Sequence, residues 1–405
     1  MARRLRICLV TTFYPPFHFG GDGVFVQRLA AALAEAGHAV DVVHSIDAYR
    51  LHGPREPPVA FAEVPGVVRH PIESARPFWT SLAAHQLGNP AAYSRQLRAL
   101  LDGDRYDVVH FHNVSLMGAP GVLKLGRAVK LYTAHEYWLI CATHVLFAFD
   151  REACTQRRCL ACTLSYGRPP QLWRMTGRLG AALDEVDALL MPSAFALERH
   201  REQGIDRPMH LLPHFVPLPE GGVPRARAGR PYFLYAGRLE KLKGVSDLVD
   251  LFAGYNAADL LIAGDGSLAG ELRRQAAALP HVRFLGPLHP SALETLYREA
   301  VALVVPSRCY ETFGLTAVEA LSHGTPVIVR RIGALTEIVD QSGAGFAFTT
   351  AAECRAAMET LRTDGALRDA MGARGIAAVR ERWSQPAHLD RYLGIVEDAR
   401  AARGR

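Results

Sequence analysis

The sequence predicts an α/β protein with two parallel-sheet domains, and three observations support this. Its 405 residues are too many for one ordinary hydrophobic core. Short buried-strand patterns alternate with helical spacing in two successive blocks, which is typical of parallel sheets with right-handed crossovers. A stretch rich in proline and glycine at 213–229 separates the two blocks and predicts a linker.

The first block contains apolar runs that predict strands and two segments with the spacing of helices. The predicted strands are 5–12, 39–45, 106–112, 129–134 and 187–192, and the predicted helices are 24–36 and 194–203. The second block begins at Pro231, and a last helical pattern follows Ser384. We therefore expect an N-terminal domain over 1–216 with a Cys-rich insertion at about 141–178, a linker over 217–229, a second domain over 230–383 and a terminal helix over 384–405.

Composition narrows the class of protein. Hydrophobic residues make up 49% of the chain, which argues against global disorder. The net charge of +6 comes without a zinc-finger spacing or an RNA-reading aromatic motif, so we expect no nucleic-acid partner. No run approaches the roughly 20 apolar residues of a membrane span.

The expected location is the cytoplasm. The arginines before the apolar run 7–10 do not make a secretion signal, because that run is too short. Peripheral contact with the inner face of a membrane stays open, since Trp173 with Arg168, Arg174 and Arg178 is compatible both with a basic amphipathic face and with an ordinary surface helix. The oligomeric state is not readable from the sequence.

Two glutamates, Glu311 and Glu319, lie in a strand, loop and helix pattern. Residues 302–306 form a short apolar run ended by a proline, and helical spacing begins at Leu315. Glu311 therefore falls in the loop, and Glu319 falls about one turn inside the helix.

The start of this helix predicts a phosphate site. Its first free N–H groups belong to Phe313, Gly314 and Leu315, and a helix N-terminus combines unpaired donors with a positive dipole. Glu319, a turn further in, is unsuited to the phosphate but can accept two hydrogen bonds from a ribose diol. We therefore expect a nucleotide-sugar site.

This arrangement resembles the E-x7-E motif of retaining glycosyltransferases of the GT-B architecture, in which two Rossmann-like domains face each other across a cleft. The resemblance is strongest to glycosyltransferase family 4. Tyr235 to Gly244 resembles the family's G-R-x4-K-G segment, Ala263 to Gly266 its A-G-x-G turn, and Tyr14 to Gly21 its Gly-rich loop after the first strand. The matches run in the family's order from about residue 5 to about residue 340, and the family's terminal helix crosses back to the first domain.

The leaving diphosphate needs fixed positive groups, because negative charge develops on it as the sugar bond breaks. Arg238 and Lys243 are the candidates, since they follow a strand of an open α/β sheet, where the binding crevice forms. Gly20 and Gly21 allow the first domain's backbone to approach the diphosphate from across the cleft.

The resemblance also assigns two residues to the donor sugar. His135, in a segment resembling the family's His-Asp pair, would contact a hydroxyl and orient the ring, although Glu136 stands where aspartate is common. Glu311 would face the reacting carbon. It is either a nucleophile, as in glycosidases with two carboxylates, or a positioning residue while the acceptor attacks from the face that the diphosphate leaves.

No catalytic metal is expected. Asp102 and Asp104 mimic a metal-diphosphate motif, but they directly precede a predicted strand and indicate a turn. Arg238, Lys243 and the helix start can together take the charge of the diphosphate.

The cysteines carry a separate signal. Cys141, Cys154, Cys159 and Cys162 form a C-x12-C-x4-C-x2-C pattern in an Arg-rich insertion. This pattern suits a structural tetrahedral zinc ion, its last part also matches an iron-sulfur spacing, and reduced thiols or a labile disulfide account for it equally well. Cys8, Cys309 and Cys354 are expected to be isolated buried thiols.

We therefore expect a retaining hexosyltransferase that uses a UDP- or GDP-linked sugar such as GDP-mannose and acts on a hydroxyl of a glycan or lipid-linked glycan, as in bacterial polysaccharide biosynthesis. The alternatives are a non-catalytic sugar-nucleotide-binding or scaffold subunit and a glycan phosphorylase on the same scaffold. A dehydrogenase is disfavoured, because residues 20–23 lack the G-x-G-x-x-G spacing.

Overall fold

A computed structural model describes residues 3–51, 53, 63–219 and 229–404. The strands are β1 Arg6–Thr11, β2 Ala39–Ser45, β3 Val67–Ile72, β4 Val108–Phe111, β5 Val129–Thr133, β6 Phe147–Ala148, β7 Glu152–Ala153, β8 Ala188–Met191, β9 Met209–Leu211, β10 Tyr232–Ala236, β11 Asp259–Ala263, β12 Val282–Gly286, β13 Leu303–Val305, β14 Val327–Arg330 and β15 Gly345–Phe348.

Helices alternate with these strands. They are α1 Gly21–Glu35, α2 Ile46–Arg50, α3 Pro77–Leu87, α4 Ser94–Leu101, α5 Cys159–Ser165, α6 Arg178–Leu183, α7 Ala194–Glu202, α8 Val245–Ala253, α9 Ala269–Gln275, α10 Pro290–Glu299, α11 Leu315–Ser322, α12 Ala334–Ser342, α13 Ala351–Thr363, α14 Gly365–Arg382 and α15 Gln385–Arg403. Short 3₁₀ helices lie at Ala91–Tyr93, Ser115–Met117, Gly121–Lys124, Leu172–Met175 and Lys241–Lys243.

Two parallel sheets form the framework, as the alternating pattern predicted. The first has the order β3-β2-β1-β4-β5-β8-β9 and the second the order β12-β11-β10-β13-β14-β15. The inner strands of both sheets, such as Val108–Phe111 and Leu303–Val305, are buried along their whole length, because helices cover both faces of a parallel sheet.

The chain order reverses in the middle of each sheet. From β1 the first sheet extends to β2 and β3 on one side and to β4, β5, β8 and β9 on the other; β10 plays the same part in the second sheet. Such a reversal opens a crevice at the carboxyl ends of the strands. The predicted donor-site residues follow β1, β5, β10 and β13, so the topology brings them to these two crevices.

The terminal helix α15 packs on the first sheet's domain. Its Tyr392 and Val396 are fully buried in a cluster with Leu131 of β5 and Leu29 of α1. The preceding Trp383 lies in the core of the second domain, and its carbonyl accepts from Val216 N–H at 3.0 Å. The end of the chain therefore ties the two domains together. The predicted linker 217–229 falls mostly outside the described residues.

Trp173 does not form the amphipathic surface that its neighbours suggested. It is only 3% exposed, and Arg174 lies over its ring at 4.6 Å from the centroid. Large apolar side chains that are exposed in this region include Phe78, Trp79 and Leu87 of α3, Leu172 and Met175. In the described part of the chain, no helix combines the length and the apolar character that crossing a membrane requires.

Candidate active site

The core of the site is an ion pair between Lys243 and Glu311. Lys243 follows β10 and Glu311 follows the adjacent strand β13, so parallel pairing places both at the same sheet edge. Lys243 Nζ donates to Glu311 Oε1 at 2.6 Å, and Ser307 Oγ donates to the same oxygen at 2.7 Å. The two charged side chains are about one-fifth exposed.

Each partner of this pair stabilises the charge of the other. Burial alone acts to raise the pKa of Glu311, but Lys243 and Ser307 outweigh it and hold the pKa below its ordinary value. Burial alone acts to lower the pKa of Lys243, but Glu311 outweighs it and raises that pKa. Both groups are therefore charged at neutral pH.

Arg238 lies at the open side of the same pair. Its charge contributes to the low pKa of Glu311, so the two groups are close. Arg238 is exposed, and no described carboxylate forms an ion pair with it. Its guanidinium is consequently available to an anion entering the cleft.

Helix α11 begins beside this cluster. Gly314 is its N-cap with φ +117°, and a Cβ there would lie 2.7 Å from Leu335 Cδ2, so only glycine fits. Ala317 N–H makes the first bond, to Gly314 O at 3.0 Å, which leaves the N–H groups of Leu315 and Thr316 as the free donors. Among the described residues, the N–H groups of Phe313 and Gly314 make no hydrogen bond within the protein either, while the side chain of Phe313 is buried.

The glycine pair of the first domain lies directly opposite. Gly20 is the N-cap of α1 and has φ +141°, which glycine tolerates. A Cβ on Gly21 would lie 3.2 Å from Leu315 Cδ2. The N-termini of α1 and α11 therefore face each other across the cleft, and their positive dipole ends make one region favourable to negative charge.

Glu319 is held by residues from both domains. Arg28 of α1 donates to Oε1 at 2.8 Å, and Tyr297 of α10 donates to Oε2 at 3.3 Å. The carboxylate is 17% exposed. Because each carboxylate oxygen has two acceptor positions, Glu319 can still accept further hydrogen bonds.

His135 is bonded to two other imidazoles. Its Nε2 lies 2.8 Å from His112 Nδ1, and its Nδ1 lies 3.1 Å from His214 Nε2. Both ring nitrogens are thus engaged within the protein, and the predicted contact with a sugar hydroxyl requires one of these bonds to change. Glu136 does not enter the cleft chemistry, since its Oε1 lies 2.9 Å from His144 Nδ1.

These imidazoles belong to a buried cluster of five histidines, His110, His112, His135, His214 and His388. Burial lowers the pKa of His135 and of His388 to about 4, and burial together with neighbouring histidines lowers the pKa values of the other three well below the ordinary range. The cluster is therefore neutral at pH 7.

Backbone and side-chain contacts close the cleft around these groups. Tyr137 Oη donates to the carbonyl of Glu311 at 3.2 Å, and Thr312 Oγ1 donates to the carbonyl of His135 at 2.8 Å. The loop that carries Glu311 is therefore held by the segment after β5 of the other domain.

Several of these contacts were not predicted from the sequence. Arg28, Tyr297 and Ser307 touch the two glutamates, yet each lies in an ordinary helical or loop pattern. Their only signal is proximity in three dimensions, which spacing along the chain does not contain. The predicted turn at Asp102 and Asp104 is confirmed, since Asp102 is the C-cap of α4 and residues 102–105 form a bend and turn before β4.

The cysteines divide as the sequence suggested. Cys8, Cys309 and Cys354 are buried single thiols. The other four, in the insertion, are free thiols in the structure. Within the described ranges, no three or more His, Cys, Asp or Glu side chains are arranged so that they could hold a metal ion.

Comparison with known families matches both halves of the chain. A family model described as "Glycosyltransferase Family 4" matches residues 19–219, and one described as "Glycosyl transferases group 1" matches residues 223–377. "D-inositol 3-phosphate glycosyltransferase 1" of Catenulispora acidiphila is 32% identical, with 79% of this chain and 76% of that protein aligned.

Solved structures show the same architecture. Sucrose-phosphate synthase from Thermosynechococcus elongatus superposes with a TM-score of 0.74 at 21% identity, over 98% of this chain and all of that chain. HepE of Anabaena, solved in complex with UDP and glucose, has a TM-score of 0.67 at 16% identity, over 97% and 100% of the two chains. At these identities the likeness establishes the fold alone.

The histidine cluster makes stability depend on pH. Because burial depresses these pKa values, the unfolded chain binds more protons than the folded one between the ordinary histidine pKa of about 6.5 and about 4. The free energy of unfolding, measured by urea titration, should therefore fall as the pH falls through this interval. His388→Gln should make the free energy of unfolding change less steeply with pH, by the contribution of one histidine. A free energy of unfolding that stays constant over the interval would contradict the burial argument.

Proposed function

The chain belongs to glycosyltransferase family 4 and has its GT-B fold, and from this premise we propose that it is a retaining hexosyltransferase. The proposed donor is a UDP- or GDP-linked sugar, the acceptor is a hydroxyl of a glycan or lipid-linked glycan, and no metal ion takes part in catalysis. The observation that carries this proposal is the meeting of two helix N-termini, at Gly21 and Leu315, beside the Lys243–Glu311 pair.

The meeting of the helix ends supports a diphosphate site. Cleavage of the bond between the anomeric carbon and the phosphate oxygen leaves its electron pair on the diphosphate. Arg238, the N–H groups at the start of α11 and the backbone at Gly21 provide positive potential on two sides of that position. Lys243 adds a charge that is fixed by its bond to Glu311, so little reorganisation is needed as the leaving group becomes negative.

Glu319 is suited to the ribose. Arg28 and Tyr297 fix the orientation of its carboxylate from opposite sides, and each oxygen keeps an acceptor position for a diol hydroxyl. Because Arg28 comes from the first domain and Tyr297 from the second, the orientation of Glu319 also depends on how the domains meet.

Glu311 fits the role of a positioning residue better than that of a nucleophile. Its carboxylate is already bonded to Lys243 and Ser307, and these bonds reduce the electron density available for attack on carbon. In the proposed path the acceptor oxygen forms the new bond on the face that the diphosphate leaves. The acceptor proton passes to a phosphate oxygen, so Glu311 stays ionised and stabilises positive charge that develops on the sugar ring.

The comparisons agree with the donor class. HepE was solved with UDP, and the relative from Catenulispora is described as a glycosyltransferase acting on an inositol phosphate. A nucleoside diphosphate is thus bound by a protein of the same fold, which supports the proposed donor class. The sugar and the base of this chain's donor are to be found by experiment.

Donor binding should appear as a shift in melting temperature. We expect either UDP or GDP to raise the melting temperature of the full chain, because a ligand that binds only the folded state stabilises it. Arg238→Ala should reduce this shift, because the guanidinium is proposed to bind the diphosphate. The substitution should change the stability of the free protein little, because the arginine is exposed. The exposed Arg283→Ala, on the far edge strand β12, is the matched control and should leave the shift unchanged. If neither nucleotide gives a shift, the donor proposal is wrong.

Glu311→Ala should abolish sugar transfer while the nucleotide diphosphate still binds. A loss of at least about 10²-fold in kcat is expected, the scale on which removal of a preorganised electrostatic group acts. Transfer and nucleotide-induced thermal shift would be measured on the same preparation. Full transfer activity in this variant would overturn the role of Glu311.

Donor hydrolysis without acceptor in the parent chain would separate an enzyme from a non-catalytic sugar-nucleotide-binding subunit.

Turnover should persist in the presence of a chelator such as EDTA. The reason is that Arg238, Lys243 and the helix ends take the charge that a divalent ion would otherwise neutralise. Initial rates would be compared with and without the chelator over the minutes of an assay. Loss of activity that Mg²⁺ or Mn²⁺ restores, and Zn²⁺ does not, would contradict catalysis without a divalent ion.

A further inference from the structure

The four cysteines of the insertion are carried by one compact unit. Cys141 lies in the loop after β5, and Cys154 directly follows the antiparallel hairpin of β6 and β7. Cys159 and Cys162 lie three residues apart in the first turn of α5, a spacing that places their side chains on neighbouring positions of one helix face. The loop after β5, the hairpin with the residue that follows it, and a helix that begins with C-x2-C thus carry the four thiols.

Hydrogen bonds hold the hairpin and the helix together. Phe149 N–H, in the hairpin turn, donates to Cys162 Sγ at 3.3 Å. Tyr166 Oη, just after α5, donates to Phe147 O at 2.6 Å. Cys141 and Cys154 pack against the same small apolar cluster around Leu146. The thiol of Cys154 lies within electrostatic range of the other three.

Arg174 lies close to the cysteines without forming an ion pair to a described carboxylate. Arg174 is largely buried between the rings of Trp138 and Trp173, at 5.2 and 4.6 Å from their centroids. Its hydrogen bonds go to neutral acceptors, Gln171 Oε1 and Trp138 O, and no carboxylate in the described part of the chain forms an ion pair with it. Cys141 and Cys159 are within its electrostatic range, as is Glu136, whose Oε1 lies 2.9 Å from His144 Nδ1. Four thiolates around a divalent ion carry a net charge of −2, which would place further negative charge beside this arginine.

We propose that Cys141, Cys154, Cys159 and Cys162 bind one zinc ion as a structural tetrathiolate site. Four soft sulfur donors are the set that closed structural zinc sites use. In the structure the described thiols are not arranged as ligands, since Cys141 Sγ lies 3.2 Å from Thr143 Oγ1 and Cys154 Sγ donates to Gln156 O at 3.5 Å. Zinc binding would break these contacts, draw the four side chains together and displace their protons.

The position of this site gives it a further consequence. Asp150, in the hairpin turn, pairs with Lys241 of the opposite domain at 3.3 Å, two residues before Lys243. Tyr310, next to Glu311, packs against the same cluster as Cys141 and Cys154. Zinc would therefore rigidify the part of the first domain that contacts both loops of the Lys243–Glu311 pair.

Metal analysis of the full chain tests the proposal. Mass spectrometry of the purified and zinc-reconstituted protein should find about one zinc per chain, as expected for one four-cysteine site. Four of the seven thiols should react with a thiol reagent only after zinc is removed. Replacement by Co²⁺ should produce the visible absorption and thiolate charge-transfer bands of a tetrahedral sulfur site.

Matched variants separate ligation from folding. Cys159→Ser changes an exposed thiol and should lose the zinc and the Co²⁺ spectrum, while Cys354→Ser, at a single buried thiol, should keep both. Four results would each overturn the proposal. The reconstituted protein could lack zinc, or it could contain iron with acid-labile sulfide. A disulfide could join two of the four thiols, or Cys159→Ser could keep its full zinc content. The thermal shift with UDP or GDP reports on the second domain, so failure of the donor proposal is detected separately.

Discussion

The ion pair between Lys243 and Glu311 is the interaction on which the site depends. Two oppositely charged groups can be held with so little exposure because each offsets the desolvation of the other, and Ser307 satisfies a further acceptor position. The pair also fixes the loop after β10 to the loop after β13. A cation and an anion are thereby held in place before any substrate enters, which is the condition for electrostatic catalysis.

The cleft is built from contacts that neither domain makes alone. Arg28 reaches Glu319 from the first domain, Thr312 bonds to the carbonyl of His135, and Asp150 pairs with Lys241. The helix α15 and the carbonyl of Trp383 fasten the domains on the side of the chain end. Relative movement of the domains would therefore change the orientation of the ribose-binding candidate and the access to the diphosphate region together.

The first domain adds the histidine cluster and the Cys-rich insertion, which differ in chemistry. The histidine cluster is neutral at pH 7 because burial excludes the charged form, so it contributes hydrogen bonds without adding charge near the donor. The Cys-rich insertion is rich in arginine and lies over the loops of the second domain. His214 links the cluster to Phe313, which directly precedes the N-cap of α11, with ring centroids 5.3 Å apart.

Local sequence determined the architecture and much of the site. Apolar runs and helical spacing predicted the two sheets, because side-chain burial in strands and helices repeats over a few residues. The spacing of Glu311, Gly314 and Glu319 likewise predicted a loop acid, a glycine cap and a helix acid. These features are decided by neighbours along the chain, and the strands and helices predicted for the first domain lie within a few residues of their expected bounds, although β3 and β9 of the same sheet were not predicted.

Tertiary structure alone decided which groups meet. The pairing of Arg28 with Glu319 spans 291 residues, and the bonds of His135 join three separate segments. Trp173 was interpreted as a surface residue but is buried, because the fold covers it with Arg174 and Trp138. Periodicity over a few residues carries no information about such contacts, which arise only when strand order brings distant segments to one edge.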